Sequence, residues 1–195
     1  MKFLKRITLA ATLAFAAPAM ADGHAGWKSV GDQSRVAFGS VKKDVIGEIH
    51  HFNAVSGTVN EKGEMKIDID LSSVETNIDI RNERMQKHVF QEGAATASIS
   101  GTIDMAELEG LKPGDTTLVD VEAKLSFVGV ENDIDAEMMV ARLSDNRVLV
   151  TTADFIMLTT ADLGIDAGIN ELMKLAKLPG ITRVTPVAIR MVFEK

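Results

Sequence analysis

The sequence lacks several residue types on which common enzyme and metal sites depend. Cysteine is absent, so the chain has neither disulfide bonds nor thiolate nucleophiles, and tyrosine is absent as well. No G-x-S-x-G, H-E-x-x-H or glycine-rich phosphate-binding motif occurs. Because no acid, base and nucleophile stand at a spacing typical of catalysis, we predict that the protein is not an enzyme.

Histidine is scarce, and its placement does not suggest a shared metal site. The chain has four histidines, of which only His50 and His51 are neighbours. Adjacent residues on a strand point to opposite faces, so these two imidazoles cannot bind one metal ion without a bulge. His88 lies near the end of a predicted helix, where histidine is usually a helix-end or surface residue. We interpret all three as structural and predict no cofactor requirement.

Long apolar runs are limited to the first residues of the chain. A basic start and an apolar run over residues 7–17 precede the small residues Ala19 and Ala21, as in a secretory signal with its cleavage site. The run is shorter than the roughly 20 residues that a membrane-spanning helix needs. We predict a cleaved signal peptide at 1–21, a single domain at 22–195, export to the periplasm and no integral membrane segment.

Positive charge is low in the predicted mature chain. Removing residues 1–21 removes three of the 21 Lys and Arg and none of the 28 Asp and Glu, so the remaining 174 residues carry a net charge of −10. Nucleic-acid binding needs a basic surface, and attachment to anionic lipid by charge needs one too. We therefore predict neither of these two modes of binding.

The predicted mature terminus, Asp22-Gly23-His24, contains one candidate metal site. A free amine, two backbone amides and an imidazole at this spacing form a tetragonal nitrogen site suited to Cu(II) or Ni(II). The alternative, which we favour, is a solvated tail whose histidine binds nothing. Cleavage at the alternative site Ala17-Pro18-Ala19 would remove the candidate site.

Most of the chain alternates between apolar and polar residues, as half-buried strands do. The clearest case lies within 117–130, where every second residue is apolar: Val119, Val121, Ala123, Leu125 and Phe127. The same alternation recurs over 34–42, 65–71, 134–140 and 185–194. A further strand over 46–59 contains Gly47 and Gly57, at which we expect bends or bulges. The pattern predicts an all-β shell around an apolar interior.

Two stretches change to helical spacing. Residues at helical spacing predict a short helix within 77–91, namely Ile80, Arg84, Met85 and His88. An apolar stripe predicts a second helix over 168–178. Pro179-Gly180 would end the second helix. No linker or internal repeat divides the chain, so one domain fits.

Several segments in order resemble the YceI family of periplasmic, lipocalin-like proteins. They are Trp27 with Ser34–Phe38, Val45–Phe52 with Ser56–Val59, Leu71–Asn77 with Arg81, Leu125–Val130, and Asp162–Ile165. The resemblance covers nearly the whole predicted mature chain. It implies an extended, lipocalin-like antiparallel β-barrel of about eight strands with two short helices. It also implies a long apolar tunnel that binds isoprenoid, isoprenoid-quinone or fatty-acyl lipid for carriage or storage.

The chain departs from the family pattern in one segment. The family usually has Arg-Asp-x-His-Leu where this chain reads Arg81-Asn82-Glu83-Arg84-Met85, and Asp-Phe-Phe-Asp where it reads His88-Val89-Phe90-Gln91. This segment is expected to cover the barrel mouth. Contacts at the mouth and the identity of the ligand therefore do not carry over from the family.

The candidate ligand-binding residues follow from the strand phase. A lipid tail would lie against Phe38, Ile69, Leu125, Phe127, Ile189 and Met191, with Phe90 and Leu163 near the mouth and Arg81 at a polar head group. A filled core would use the same apolar residues, so the sequence pattern does not distinguish a lipid-binding tunnel from a filled core. The alternative function is a filled structural or interaction module that binds a second copy or another periplasmic or membrane protein, such as a redox partner that uses quinone. Its distinguishing feature would be an exposed apolar patch without internal volume.

Overall fold

The structure, a computed structural model, describes residues 26–91 and 96–195, and most of these residues lie in strands. The strands are β1 (Trp27–Ser29), β2 (Arg35–Lys42), β3 (Ile46–Phe52), β4 (Val55–Val59), β5 (Glu64–Asp70), β6 (Val74–Glu75), β7 (Thr96–Thr102), β8 (Thr116–Phe127), β9 (Val130–Ser144), β10 (Arg147–Thr152), β11 (Ile156–Thr159) and β12 (Val184–Glu194). The helices are α1 (Asp79–Arg84) and α2 (Asp166–Ala176), and a π-helical turn (Met85–Val89), here called the π turn, directly follows α1. The predicted signal peptide and His24 lie outside the described residues.

Eight antiparallel strands close into a ring, in the order β1-β4-β5-β7-β8-β9-β10-β12. The ring closes because β12 pairs with β1, through Lys28 opposite Glu194 and Ser29 opposite Phe193. Closure leaves these strands without a free edge, which is how a barrel avoids unpaired backbone groups. The predicted antiparallel barrel of about eight strands is confirmed.

Four further strands extend the wall beyond one end of the ring. β2 pairs with the first half of β12, with Phe38 opposite Val187, and β3 and β6 follow β2 in order. β11 pairs with β12 on its other side, with Ile156 opposite Val187. The sequence does not predict β11, because three consecutive apolar residues (Ile156-Met157-Leu158) hide the alternation. These strands make one end of the barrel taller than the eight-stranded ring.

The alternation predicted for β8 matches its burial. Val119, Val121 and Leu125 are buried, whereas Asp120 and Glu122 between them are exposed. Burying an aliphatic side chain of this size contributes about 1.5–3 kcal/mol. The inward faces of the strands together form one apolar core.

The predicted bends or bulges at Gly47 and Gly57 are wrong, because both residues lie within continuous strands. The break falls at Asn53 and Ala54, whose backbone N–H groups donate to the carbonyl and side-chain oxygens of Ser73. Gly57 serves packing instead, because a Cβ there would lie 3.1 Å from Cε of Met191. A hydrogen-bonded corner, rather than a glycine, therefore bends this strand.

Both predicted helices are present and lie across the taller end of the barrel. The first, predicted within 77–91, is α-helical over α1 and continues as the π turn from Met85, where the Phe90 N–H donates to the Met85 carbonyl over 3.0 Å. α2 ends before Pro179 because Lys177 adopts a left-handed conformation. α2 packs against the π turn, and the two helical segments together cover this end. Within the described ranges, none of the helices combines the length and apolar composition needed to cross a bilayer.

Candidate functional site

Two adjoining apolar cavities occupy the barrel. The mouth cavity, of about 400 Å³, lies at the taller end, between the helices and the walls formed by β2 and β3. The far cavity, of about 420 Å³, lies toward the opposite end, beside Trp27 and Leu108. Four isoleucines border both cavities: Ile99, Ile134, Ile156 and Ile189. The interior of the barrel therefore holds two adjoining apolar cavities that share a border of isoleucines, rather than a filled core.

The predicted ligand-binding residues lie in these cavities. Eight of them line the mouth cavity: Phe38, Ile69, Arg81, Phe90, Leu125, Phe127, Leu163 and Ile189. Met191 lines the far cavity and is almost completely buried. The strand phase thus placed the six strand residues of this set inside the barrel, whereas Arg81, Phe90 and Leu163 lie outside the strands. Contact of these side chains with a ligand stays a prediction.

A row of aromatic rings crosses the mouth cavity from β2 to β8. The ring centroids are 5.4 Å apart for Phe38 and Phe52, 5.7 Å for Phe52 and Phe90, and 5.9 Å for Phe90 and Phe127. The last pair meets edge to face, an arrangement that aromatic quadrupoles favour. Phe90 directly follows the π turn, so this row ties the helical cover to the barrel wall.

An ion-paired cluster joins α1 to the barrel wall beside the mouth cavity. The Glu48 carboxylate, on β3, accepts hydrogen bonds from Lys42 Nζ at 3.0 Å and Arg81 at 2.8 Å. Arg81 also donates to the Thr76 carbonyl at 2.7 Å. Burial acts to raise the pKa of Glu48, but the bonds from Lys42 and Arg81 outweigh it, and the net pKa is lowered. Arg81, predicted to meet a head group, is therefore held by Glu48.

His50 is a buried polar residue of the cavity wall. Its side chain is 3% exposed, and Nε2 lies 3.0 Å from Oγ of Ser40. Burial, followed by the positive charge of Arg81, lowers the pKa of His50 to about 4. The imidazole is therefore uncharged near neutral pH. Its neighbour His51 lies on the opposite face of β3, as strand geometry predicts.

The polar part of the site was missed from the sequence, although a signal for it was present. Glu48, His50 and Phe52 share one phase of β3, and Phe52 is an apolar residue expected to point inward. The two polar residues concealed the inward-facing side of β3, because apolar character was the criterion for a buried position.

In residues 26–91 and 96–195, no group of three or more His, Asp or Glu residues is placed to hold a metal ion.

Replacing Arg81 with methionine should lower the free energy of unfolding by about 2 kcal/mol, the typical value of a hydrogen bond to a charged group in a partly buried setting. The change leaves Glu48 with Lys42 as its charged partner and frees the Thr76 carbonyl. Urea denaturation at neutral pH measures the effect. The matched control is Arg147→Met, which breaks a more exposed pair with Glu194 and should cost less than about 1 kcal/mol. Equal losses in the two variants would contradict the structural role of the cluster.

Comparisons with known proteins identify the family. A YceI-like domain model matches residues 27–184. A solved polyisoprenoid binding domain from Saccharophagus degradans, implicated in plant cell wall breakdown, is 36% identical, with 86% of this chain and 97% of that chain covered and a TM-score of 0.84. Burkholderia cenocepacia BcnA shares the fold at 14% identity, with coverages of 84% and 98% and a TM-score of 0.65.

No curated protein sequence matches the chain. The family match nevertheless spans most of it, and the S. degradans domain covers most of it at 36% identity. The YceI-like domain match and the polyisoprenoid binding described for the S. degradans domain agree with the prediction of a non-enzymatic protein. The order of the strands, the cavities and the sequence match agree. The chain therefore belongs to the YceI-like domain family.

Proposed function

We propose that this protein binds an amphiphilic lipid of isoprenoid, isoprenoid-quinone or fatty-acyl type inside the barrel, and carries or stores it in the periplasm. The observation that carries the proposal is the pair of adjoining apolar cavities within a closed ring of strands. The polyisoprenoid binding described for the S. degradans domain supports the isoprenoid class. The predicted signal peptide supports the compartment.

The size of the cavities favours a bound ligand over an empty interior. Core-truncation series give about 24 cal/mol per Å³ of unfilled apolar cavity, so a volume near 400 Å³ left empty would cost on the order of 10 kcal/mol. The net stability of a domain is typically about 5–15 kcal/mol. A lipid chain in van der Waals contact with the wall removes much of that cost. We therefore expect the protein to retain lipid through purification.

The alternative is an interaction module that binds a second copy or a membrane redox protein. Its distinguishing feature is an exposed apolar patch without internal volume, and the barrel has internal volume. This observation favours the lipid-binding proposal.

Native mass spectrometry of protein purified from the periplasm tests the proposal directly. We expect a discrete added mass that solvent extraction releases as a lipid. The control is protein unfolded in denaturant, freed of lipid and refolded, which should take up isoprenoid or fatty-acyl probes at one molecule per chain. Bare protein that also fails to take up these probes would overturn the proposal in favour of the interaction module.

Replacing Phe127 with alanine should change the lengths of lipid chain that the protein accepts. Phe127 lines the mouth cavity and packs edge-on against Phe90, so the change widens the path at the aromatic row. Wider space favours longer or bulkier chains, which mass spectrometry detects as a shift in the extracted lipids. Phe155→Ala is the matched control, because Phe155 is an exposed phenylalanine that lines neither cavity. An identical lipid profile in both variants would exclude a lining role for Phe127.

A further inference from the structure

The charged side chains that border the mouth cavity have an excess of positive charge. Among the described residues, Lys42, Arg81 and Arg84 border this cavity together with a single carboxylate, that of Glu48. His50 also borders it and is uncharged near neutral pH. The chain as a whole has a net charge of −7, so its composition does not account for the positive sign. The excess is a local property of this cavity.

The far cavity differs from the mouth cavity in this respect. Its charged lining, within the described part of the chain, consists of two carboxylates and two cations, namely Glu61, Glu109, Arg142 and Lys195. The two cavities are otherwise alike in size and in their largely apolar walls. The positive excess therefore marks the end of the barrel that the helical segments cover.

Two of the three cations at the mouth cavity are already engaged by the protein. Glu48 accepts hydrogen bonds from Lys42 at 3.0 Å and from Arg81 at 2.8 Å. Arg84, the last residue of α1, forms neither an ion pair nor a side-chain hydrogen bond with the described residues. A guanidinium beside an apolar cavity is poorly hydrated on that side, and an anion is its strongest hydrogen-bonding partner. Arg84 is therefore the cation of this lining that is available to a ligand.

Arg84 lies at the open side of the mouth cavity. Ile78, Ile80 and Val184 border this cavity and are nevertheless 43%, 50% and 45% exposed, so the cavity opens to solvent beside them. Ile80 and Arg84 are four residues apart in α1 and lie on the same face of the helix. Arg84 itself is partly buried. A head group at this position stays in contact with water while its tail enters the apolar cavity, as an amphiphile requires.

We propose that Arg84 binds the head group of a lipid whose head is an anionic oxygen group, either a carboxylate or a phosphate. This inference rests on the proposed lipid-binding function and specifies the ligand class. Both groups present two oxygens that a guanidinium binds side by side. The cluster of Lys42, Glu48 and Arg81 retains one positive charge and adds to the attraction. The uncharged head of an alcohol or a quinone would leave the charge of Arg84 without a partner.

Two matched pairs of lipids test this head-group site. Geranylgeranyl phosphate is compared with geranylgeraniol, and palmitic acid with hexadecanol, so that the members of each pair share a tail and differ in the charge of the head. Each probe is titrated into lipid-free protein near neutral pH, and native mass spectrometry measures the bound fraction. We expect the acid of at least one pair to bind about tenfold more tightly than its alcohol, the usual effect of a hydrogen bond to a charged group. The pair with the larger ratio identifies the head as a phosphate or a carboxylate.

Three variants separate contact with Arg84 from a general attraction by positive charge. Arg84→Gln should remove most of the preference for the acid, and Arg84→Lys should keep part of it because the charge remains. Lys87→Gln is the matched control, since it removes a positive charge from the π turn at an exposed residue that borders neither cavity. This control should keep the preference. Neither Arg84 nor Lys87 has a side-chain partner among the described residues, so these substitutions should leave the fold intact.

The outcomes separate this inference from the proposed function. Equal binding of acid and alcohol within both pairs by the wild-type protein overturns the head-group site and leaves lipid binding in place. A preference for the acid that persists in Arg84→Gln also overturns it, and assigns the head group to the cluster around Glu48. Equal losses in Arg84→Gln and Lys87→Gln reduce the effect to general attraction and overturn the contact. Failure of all four probes to bind overturns both proposals.

A measurement on the wild-type protein does not depend on any variant. Because Arg84 is partly exposed, a higher salt concentration should screen its attraction for an anionic head and reduce the ratio between acid and alcohol. Binding of the alcohols depends on apolar contact and should not weaken. A ratio that stays constant as the salt concentration rises would contradict binding of the head group by Arg84.

Discussion

The free energy of unfolding should fall by about 3 kcal/mol as the pH is lowered from 7 to 4, through the protonation of His50 alone. Burial lowers the pKa of this residue to about 4 in the folded protein, and the charge of Arg81 acts in the same direction. The unfolded chain takes up the proton near pH 6.5, the usual value for histidine. Between these two pH values the unfolded state holds more protons, so stability decreases as the pH falls.

The charged neighbours of His50 contribute to the shift of its pKa and so to the size of this loss of stability. Lys42 on β2, Arg81 on α1 and His51 on the same strand lower its pKa, while Glu48 partly opposes them. About 2 kcal/mol of the loss should appear between pH 7 and 5, above the range in which most carboxylates titrate. Urea denaturation at several pH values in this interval measures it.

Two variants isolate the contribution of His50. His50→Gln retains a polar atom near the Ser40 hydroxyl but has no titrating group, and its stability should change little between pH 7 and 5. His51→Gln removes the smallest of the contributions that lower the pKa of His50 and should leave most of the wild-type slope in place. If His50→Gln and the wild-type protein lost the same stability, the buried neutral histidine could not be its source.

Replacing Gly168 with alanine should destabilise the protein by about 2 kcal/mol, which is a typical cost of overpacking less the gain in helix propensity. Gly168 lies on the face of α2 that packs against the π turn. A Cβ at this position would collide with the His88 carbonyl oxygen and lie 2.7 Å from Cα of Val89. Both atoms belong to the backbone, so the whole helix would have to move.

Thermal denaturation checks this prediction, with an expected decrease in Tm of about 6 °C for a chain of this length. Alanine is the better helix former by about 1 kcal/mol, so an increase in stability would show that the close approach of α2 is absent. Gly47→Ala is the matched control, because a Cβ there meets nothing within 4 Å. Faster hydrogen exchange in α2 of the Gly168 variant would place the disturbance at the helical cover.

Most of the barrel was predictable because most strands show their own alternation of apolar and polar residues. In β8, the spacing of Val119, Val121 and Leu125 specifies which face is buried without reference to any other part of the chain. β11 lacks such evidence, and the corner at Asn53 depends on Ser73, which lies twenty positions away. Structure that depends on distant partners is not visible in a local pattern.

The site was predictable in part for the same reason. The phase of the strands placed Phe38, Leu125 and Ile189 inside the barrel, but it could not show that the interior is hollow. Cavity volume is the small difference between the space that the wall encloses and the side chains that fill it. Predicting the surroundings of His50 would require knowing that β3 pairs with β2 in this register, which places Phe38 opposite His50.

The pairing that closes the ring of strands determines at which stage of folding the internal cavities form. Lys28 pairs with Glu194, so the closing contact joins residues 166 positions apart, and β1 contributes two residue pairs to each of its neighbours. Contacts between residues so distant in sequence form slowly, because the loop entropy is lost before any pairing is gained. The enclosed volume is therefore a late product of folding rather than a property of any segment. If the proposed function holds, a lipid present at that moment would be enclosed as the wall closes, whereas one that arrives afterwards would have to enter through the mouth.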